Sequence, residues 1–191
     1  MDILSHGLWA GAAYKAANKI IRKEKKPFRL RLAVFWGIAP DIFSFGILFV
    51  WITGLLLFGG LNFFDFHQHG RMPINPERPD MEPLPGNTLF IFRLVSFLYN
   101  VSHSVVVFIF IFGIVALIFK KPVWEMAGWL IHILIDIPTH SYQFYPTPFL
   151  WPVSGWKFDG FSWGNPWFMF FNYLALAAVY YLLFIKRKTN V

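Results

Sequence analysis

The 191-residue chain has no cysteine, which excludes disulfides and any thiolate metal site, so a metal here must be held by histidine and carboxylate. Charge is scarce as well: Asp, Glu, Lys and Arg make up 14% of the residues. The Lys and Arg gather in short groups beside hydrophobic runs and form no basic stripe with interleaved aromatics, so no nucleic acid is expected as a partner despite a net charge of +7. There is no Gly-rich phosphate loop, nucleophile elbow or carboxylate-only glycosidase pair, and no internal repeat. The opening MDILSHGLWAGAAYKAANKIIRK lacks a basic region followed by an apolar core and does not read as a cleaved signal.

Hydrophobic residues make up 57% and aromatics 21%, with 24 Phe and 9 Trp, and the mean hydropathy is +0.50. This composition predicts an integral membrane protein, an all-α polytopic helical bundle. With 191 residues there is no room for a separate soluble domain, so residues 1–191 read as one membrane-embedded domain. Four runs, roughly 33–58, 89–119, 122–139 and 166–185, are long enough or nearly so for a hydrocarbon core that takes about 20 residues of helix. Residues 3–21 form an additional amphipathic helix that lies on the surface or packs into the bundle.

Basic groups alternate with the runs. Arg22, Lys23, Lys25, Lys26, Arg29 and Arg31 precede the first, Lys120 and Lys121 separate the second and third, and Lys186, Arg187 and Lys188 follow the fourth. The positive-inside rule makes these groups and the C-terminus cytoplasmic in a multi-pass protein of the cell membrane, with 59–88 and 140–165 facing outward. The aromatic stretch at 142–167 reads as an anchor at the lipid interface.

Ionisable residues in hydrocarbon are costly and mark function by default. His132 and Asp136, four residues apart, lie one above the other on a helix face. Counting about 1.5 Å per residue from the nearest basic group puts Asp41 roughly 15 Å deep, His132 about 17 Å, Asp136 about 23 Å and His103 about 26 Å. If the N-terminal helix enters the bundle, His6 falls near about 24 Å. Five groups from four helices thus share one slab, as a metal site between helices requires. Taken singly, His103 could bond a backbone carbonyl, Asp41 could serve amides disturbed by Pro40, and His132 with Asp136 could be a structural pair. Together they form a ligand pool of His6, Asp41, His103, His132 and Asp136, suited to Zn first and to Mn or Fe as alternatives. Pro138 should end the helix near Asp136 and turn His140 onto the outer loop, as a ligand, proton carrier or supporting partner. His67 and His69 alternate in the loop at 59–88 and read as solvent-exposed.

The order Ser5-His6-Gly7, Pro40-Asp41, Ser102-His103-Ser104, His132 with Asp136, Leu150-Trp151-Pro152 and Lys157-Phe158 resembles the YdjM-like family of membrane-bound metal-dependent hydrolases, over about 150 of the 191 residues. The resemblance implies a polytopic helical fold, a divalent metal and hydrolytic activity, distantly similar to zinc phospholipase C-like enzymes. The chain departs from the pattern at Phe43 and Ser44, where members often carry an acidic residue and a His, and at Leu98 and Tyr99, where they often carry a His and an Arg. That departure points to a single metal, or to a second one completed by Asp2, His140 or the histidines at 67 and 69.

Three functions compete. The first is a metal-dependent hydrolase of a phosphoester in a lipid or lipid-linked substrate, with Asp41 or Asp136 as base and His140 as proton donor to the leaving oxygen. The second is a divalent cation or proton transporter, which should show paired broken helices. The third is a non-catalytic scaffold stapled by its metal.

Overall fold

The computed structural model describes residues 1–22, 26–58, 90–143 and 145–185. Every regular element among them is helical: α1 (Ile3–Ile20), α2 (Leu30–Phe58), α3 (Phe90–Ser102), α4 (Val105–Phe119), a 3-10 turn at Trp124–Met126, α5 (Ala127–Thr139) and α6 (Pro166–Tyr180), which runs into a π turn at Tyr181–Ile185. The histidines at 67 and 69 lie outside the described residues.

Large apolar side chains cover the outside of the bundle, among them Val50, Phe58, Phe110, Leu117, Phe171 and Leu174. Such a surface is untenable in water but is what lipid tails solvate. Leu30–Phe58 and Pro166–Ile185 are each long and apolar enough to cross a membrane, and α3 with α4 makes a third if the bent pair is one span. The expectation of four spans is corrected in one place. The run at 122–139 yields a 13-residue helix, about 20 Å at 1.5 Å per residue, short of a hydrocarbon core about 30 Å thick. Instead of facing lipid along a full span, α5 packs against α1, α2 and α4.

The N-terminal helix packs into the bundle, and small residues are the reason. Gly7, Ala10, Gly11 and Ala12 are buried on α1. A Cβ on Gly7 would come within 2.8 Å of Ile38 on α2, and one on Gly37 within 2.7 Å of Ala10. Close backbone approach through small residues is how helices associate where the hydrophobic effect offers no drive. It carries His6, one turn into α1 and fully buried, to the bundle centre.

Among the described residues, Lys19 and Arg29 lie at one end of the bundle. Asn18 exchanges two hydrogen bonds with the backbone of Phe28 (2.7 and 3.0 Å), closing the α1–α2 connection. Arg29 pairs with Glu125 at 3.2 Å, and Lys19 donates to the Leu183 carbonyl at 2.6 Å. At the other end Asp2 caps α1 through the Ser5 amide and accepts from the Tyr173 hydroxyl, at 3.0 and 2.9 Å.

Candidate metal centre

The site forms where a helix breaks. The run at 89–119, expected as one span, is two helices bent by 65° at residues 103–104. Ser104 caps α4 by accepting from the Val107 amide at 3.2 Å, and its hydroxyl donates to the Trp151 carbonyl. The Val105 amide donates to the Phe149 carbonyl at 3.0 Å, and the Trp129 indole to the Ser102 carbonyl at 2.5 Å. Irregular backbone survives at membrane depth when protein satisfies it in this way. The consequence is that His103 sits on the corner, facing inward, with no exposed surface.

Asp41, His103, His132 and Asp136 are all buried and offer ligand atoms within 4.8 Å of one another. His103 Nε2 and His132 Nε2 face each other at 3.0 Å. His103 Nε2 lies 3.5 Å from both Asp41 Oδ1 and Asp136 Oδ2, while His132 Nε2 lies 3.7 Å from Asp41 Oδ1 and 3.1 Å from Asp136 Oδ2. Asp41 Oδ2 and Asp136 Oδ2 are buried without a hydrogen-bond partner.

The outward-facing nitrogens decide what the inward-facing ones can be. His132 Nδ1 is 2.7 Å from the Gly37 carbonyl, an acceptor only, so Nδ1 carries the hydrogen. His103 Nδ1 is 2.9 Å from Ser102 Oγ and 3.2 Å from the Tyr99 carbonyl. Ser102 Oγ donates to that same carbonyl at 3.4 Å, which leaves its lone pairs toward the ring. In its neutral form each imidazole therefore aims a lone pair inward, beside two carboxylate oxygens that accept when ionised. Four acceptors converge on one another. A cation at their centre resolves that conflict; so would a proton on one ring, which satisfies a single contact. Aromatic stacking holds the rings in place, Tyr99 on His103 at 3.8 Å and His6 on His132 at 3.7 Å between centroids.

His140 departs from expectation. Pro138 does not end the helix at Asp136; α5 continues to Thr139, and the His140 amide donates to the Asp136 carbonyl at 3.0 Å as the C-cap. Loop amides of Gly160, Phe161 and Trp163 take up the carbonyls of His140, Pro138 and Thr139, so the last turn needs no further helix. His140 is thereby one turn beyond Asp136, buried, with Nε2 3.3 Å from Asp136 Oδ1. Its Nδ1 lies 2.7 Å from the Tyr145 carbonyl.

Of the residues singled out from sequence, Asp41, His103, His132 and Asp136 form one cluster, and His6 and His140 flank Asp136. Asp2 stays at the helix cap rather than in the cluster. The supporting groups were hidden. Tyr99, which stacks on His103 and lies 3.1 Å from His140 Nδ1, entered the sequence reading only as a departure from the resembled family's pattern. The carbonyls of Gly37 and Tyr145 leave no mark in a sequence. Comparison with known protein families, with curated proteins and with solved structures finds no match.

Proposed function

We propose that this protein is a membrane-bound hydrolase that depends on a divalent metal and cleaves a phosphoester of a lipid or lipid-linked substrate. The observation that carries the reading is the convergence of four buried acceptors without a donor among them. The separations among His103, His132 and Asp136, 3.0 to 3.5 Å, bracket the spacing of about 3.3 Å between ligands of a tetrahedral ion with bonds of about 2.0–2.1 Å, which favours Zn over larger ions. When bound, such a cation supplies Lewis acidity, polarising a phosphoryl oxygen and acidifying water at neutral pH.

Within the cluster Asp41 stands apart. Its side chain is 8% exposed against 1% or less for the other three, and its Oδ1 is the farthest from His132. His103, His132 and Asp136 form the tighter set of three, and Asp41 is placed to take a proton from water entering beside it. That division matches catalytic sites, which keep one position open, better than closed structural ones. His140, with Nδ1 on the Tyr145 carbonyl, turns an Nε2 lone pair inward beside Asp136 and is not the group that protonates the leaving oxygen. The transporter reading asks for paired broken helices, and the described residues hold one bent pair.

Elemental analysis of detergent-purified protein tests the metal. Wild type should retain Zn, and His132→Ala should lose it, whereas changing both His67 and His69 should not matter. Equal metal in all three would sink the site. For turnover, Asp41→Asn keeps shape and packing but removes the base, and phosphate or headgroup release from mixed membrane lipids should fall by about 100-fold or more. A variant as active as wild type would remove Asp41 from the mechanism.

The basic end of the bundle faces the cytoplasm in this reading. With no natural cysteine, single replacements report cleanly. Gly155→Cys should react with an impermeant reagent in intact cells and Lys121→Cys should be protected; the opposite pattern would reverse the orientation.

A further inference from the structure

Asp136 presents two oxygens to two different sets of side chains. Oδ2 belongs to the four-acceptor cluster. Oδ1 faces His6 Nε2 at 2.9 Å and His140 Nε2 at 3.3 Å. The Nδ1 of His140 is 2.7 Å from the Tyr145 carbonyl and so carries the hydrogen, leaving a lone pair on Nε2. His6 is the more telling of the two. It is fully buried, and neither of its ring nitrogens has a hydrogen-bond partner. At 2.9 Å its Nε2 is close enough to bond Oδ1 and does not, so the two atoms converge on shared space rather than on each other. Buried polar atoms without partners are rare enough to need a reason, and ligation of a cation is one.

We propose that the centre takes two divalent cations bridged by Asp136, the first at Oδ2 with His103 and His132 and with Asp41 beside it, the second at Oδ1 with His6 and His140. The proposal rests on the metal-dependent reading above and extends it: the sequence left open a single metal or a second one completed by Asp2, His140 or the histidines at 67 and 69, and the geometry around Oδ1 points to His140 together with His6. The Met1 nitrogen lies 2.5 Å from Oδ1 and 2.9 Å from His140 Nε2, so the second cation must displace it. Paired cations about 3.5–4 Å apart suit phosphoester displacement, because they offset charge on both the attacking and the leaving oxygen.

The test counts ions and asks whether they are neighbours. Full-length protein in detergent is loaded with Mn and desalted, its Mn measured against protein, and its electron paramagnetic resonance spectrum recorded. Wild type should hold two Mn per chain with the broadened spectrum of a coupled pair. His6→Gln and His140→Gln, on different helices, should each fall to one Mn per chain with the six-line spectrum of an isolated ion, while gel filtration and helix content stay as in wild type. Since the two variants report independently, failure of one to fold leaves the other as the measurement. One uncoupled Mn in wild type, lost in His132→Ala but kept in His140→Gln, would overturn the second site and leave the first. Two coupled ions retained in both Gln variants would overturn the ligand assignment. No bound Mn or Zn in wild type would overturn the metal-dependent reading itself.

Discussion

Asp136→Ala should empty the centre of metal and abolish turnover, the largest effect of any single side-chain change in this chain. Its carboxylate joins the two groups of histidines: His6, His103, His132 and His140 all lie within 3.5 Å of one of its two oxygens. Losing an outer partner of a metal ligand costs about 10- to 100-fold in affinity, and Asp136 is a ligand in the proposed centre, so the loss should exceed about 100-fold. Without the carboxylate the remaining imidazoles keep their carbonyl partners at Gly37, Tyr99 and Tyr145, which is why the variant should still fold. The comparison that makes this specific is Thr139→Val. Thr139 lies on the same turn, and its hydroxyl bonds only back to the Ile135 carbonyl at 2.9 Å. Thr139→Val should keep wild-type metal content. If Asp136→Ala purified with as much metal as Thr139→Val, the centre described here would not be the binding site.

A second large effect is expected far from any ligand atom. Gly128→Val should prevent the bundle from assembling. A Cβ at Gly128 would press on the Ala33 carbonyl and lie 3.2 Å from both the Gly37 nitrogen and Trp36 Cβ, so α5 and α2 meet backbone to backbone. Backbone cannot rotate aside as a side chain can. Overpacking a well-packed contact costs about 1–3 kcal/mol, and a branched residue against a fixed carbonyl belongs at the upper end or beyond. The same displacement would pull α5 from α2 and break the His132 bond to the Gly37 carbonyl, so metal should be lost from whatever fraction folds. Gly54 and Gly113 supply the contrast, since a Cβ at either meets nothing within 4 Å. Ala at those positions should be neutral or stabilising by up to about 1 kcal/mol through helix propensity. The measurement is the temperature at which detergent-solubilised protein aggregates, with metal content alongside. A Gly128→Val midpoint equal to that of Gly113→Ala would show that the α2–α5 contact is not tight.

How far the sequence reaches depends on whether a property is local. Membrane character follows from composition alone, and the presence of α2 and of Pro166–Ile185 follows from hydropathy along a single stretch. Asp41, His103, His132 and Asp136 stand out because ionisable residues are rare in such stretches, and His132 with Asp136 because helical spacing stacks them. Other features require the partner to be known. Phe90–Phe119 is uniformly apolar apart from a few polar residues, and nothing in that pattern distinguishes a straight span from two helices bent at His103. The bend is stable because Trp129 and the loop carbonyls of Phe149 and Trp151 satisfy its backbone and side chains, and those groups are distant in sequence. For the same reason Pro138 misleads when read alone: loop amides from Gly160, Phe161 and Trp163 hold the last turn of α5 and keep His140 beside Asp136. Residue type names the possible ligands, but which nitrogen of each imidazole faces inward is set by the carbonyl its other nitrogen meets: Gly37 on α2 for His132, Tyr99 on the preceding turn for His103 and Tyr145 in the loop for His140. Which oxygen of Asp136 faces which histidine is likewise decided only when α1, α2, α3 and α5 are packed together.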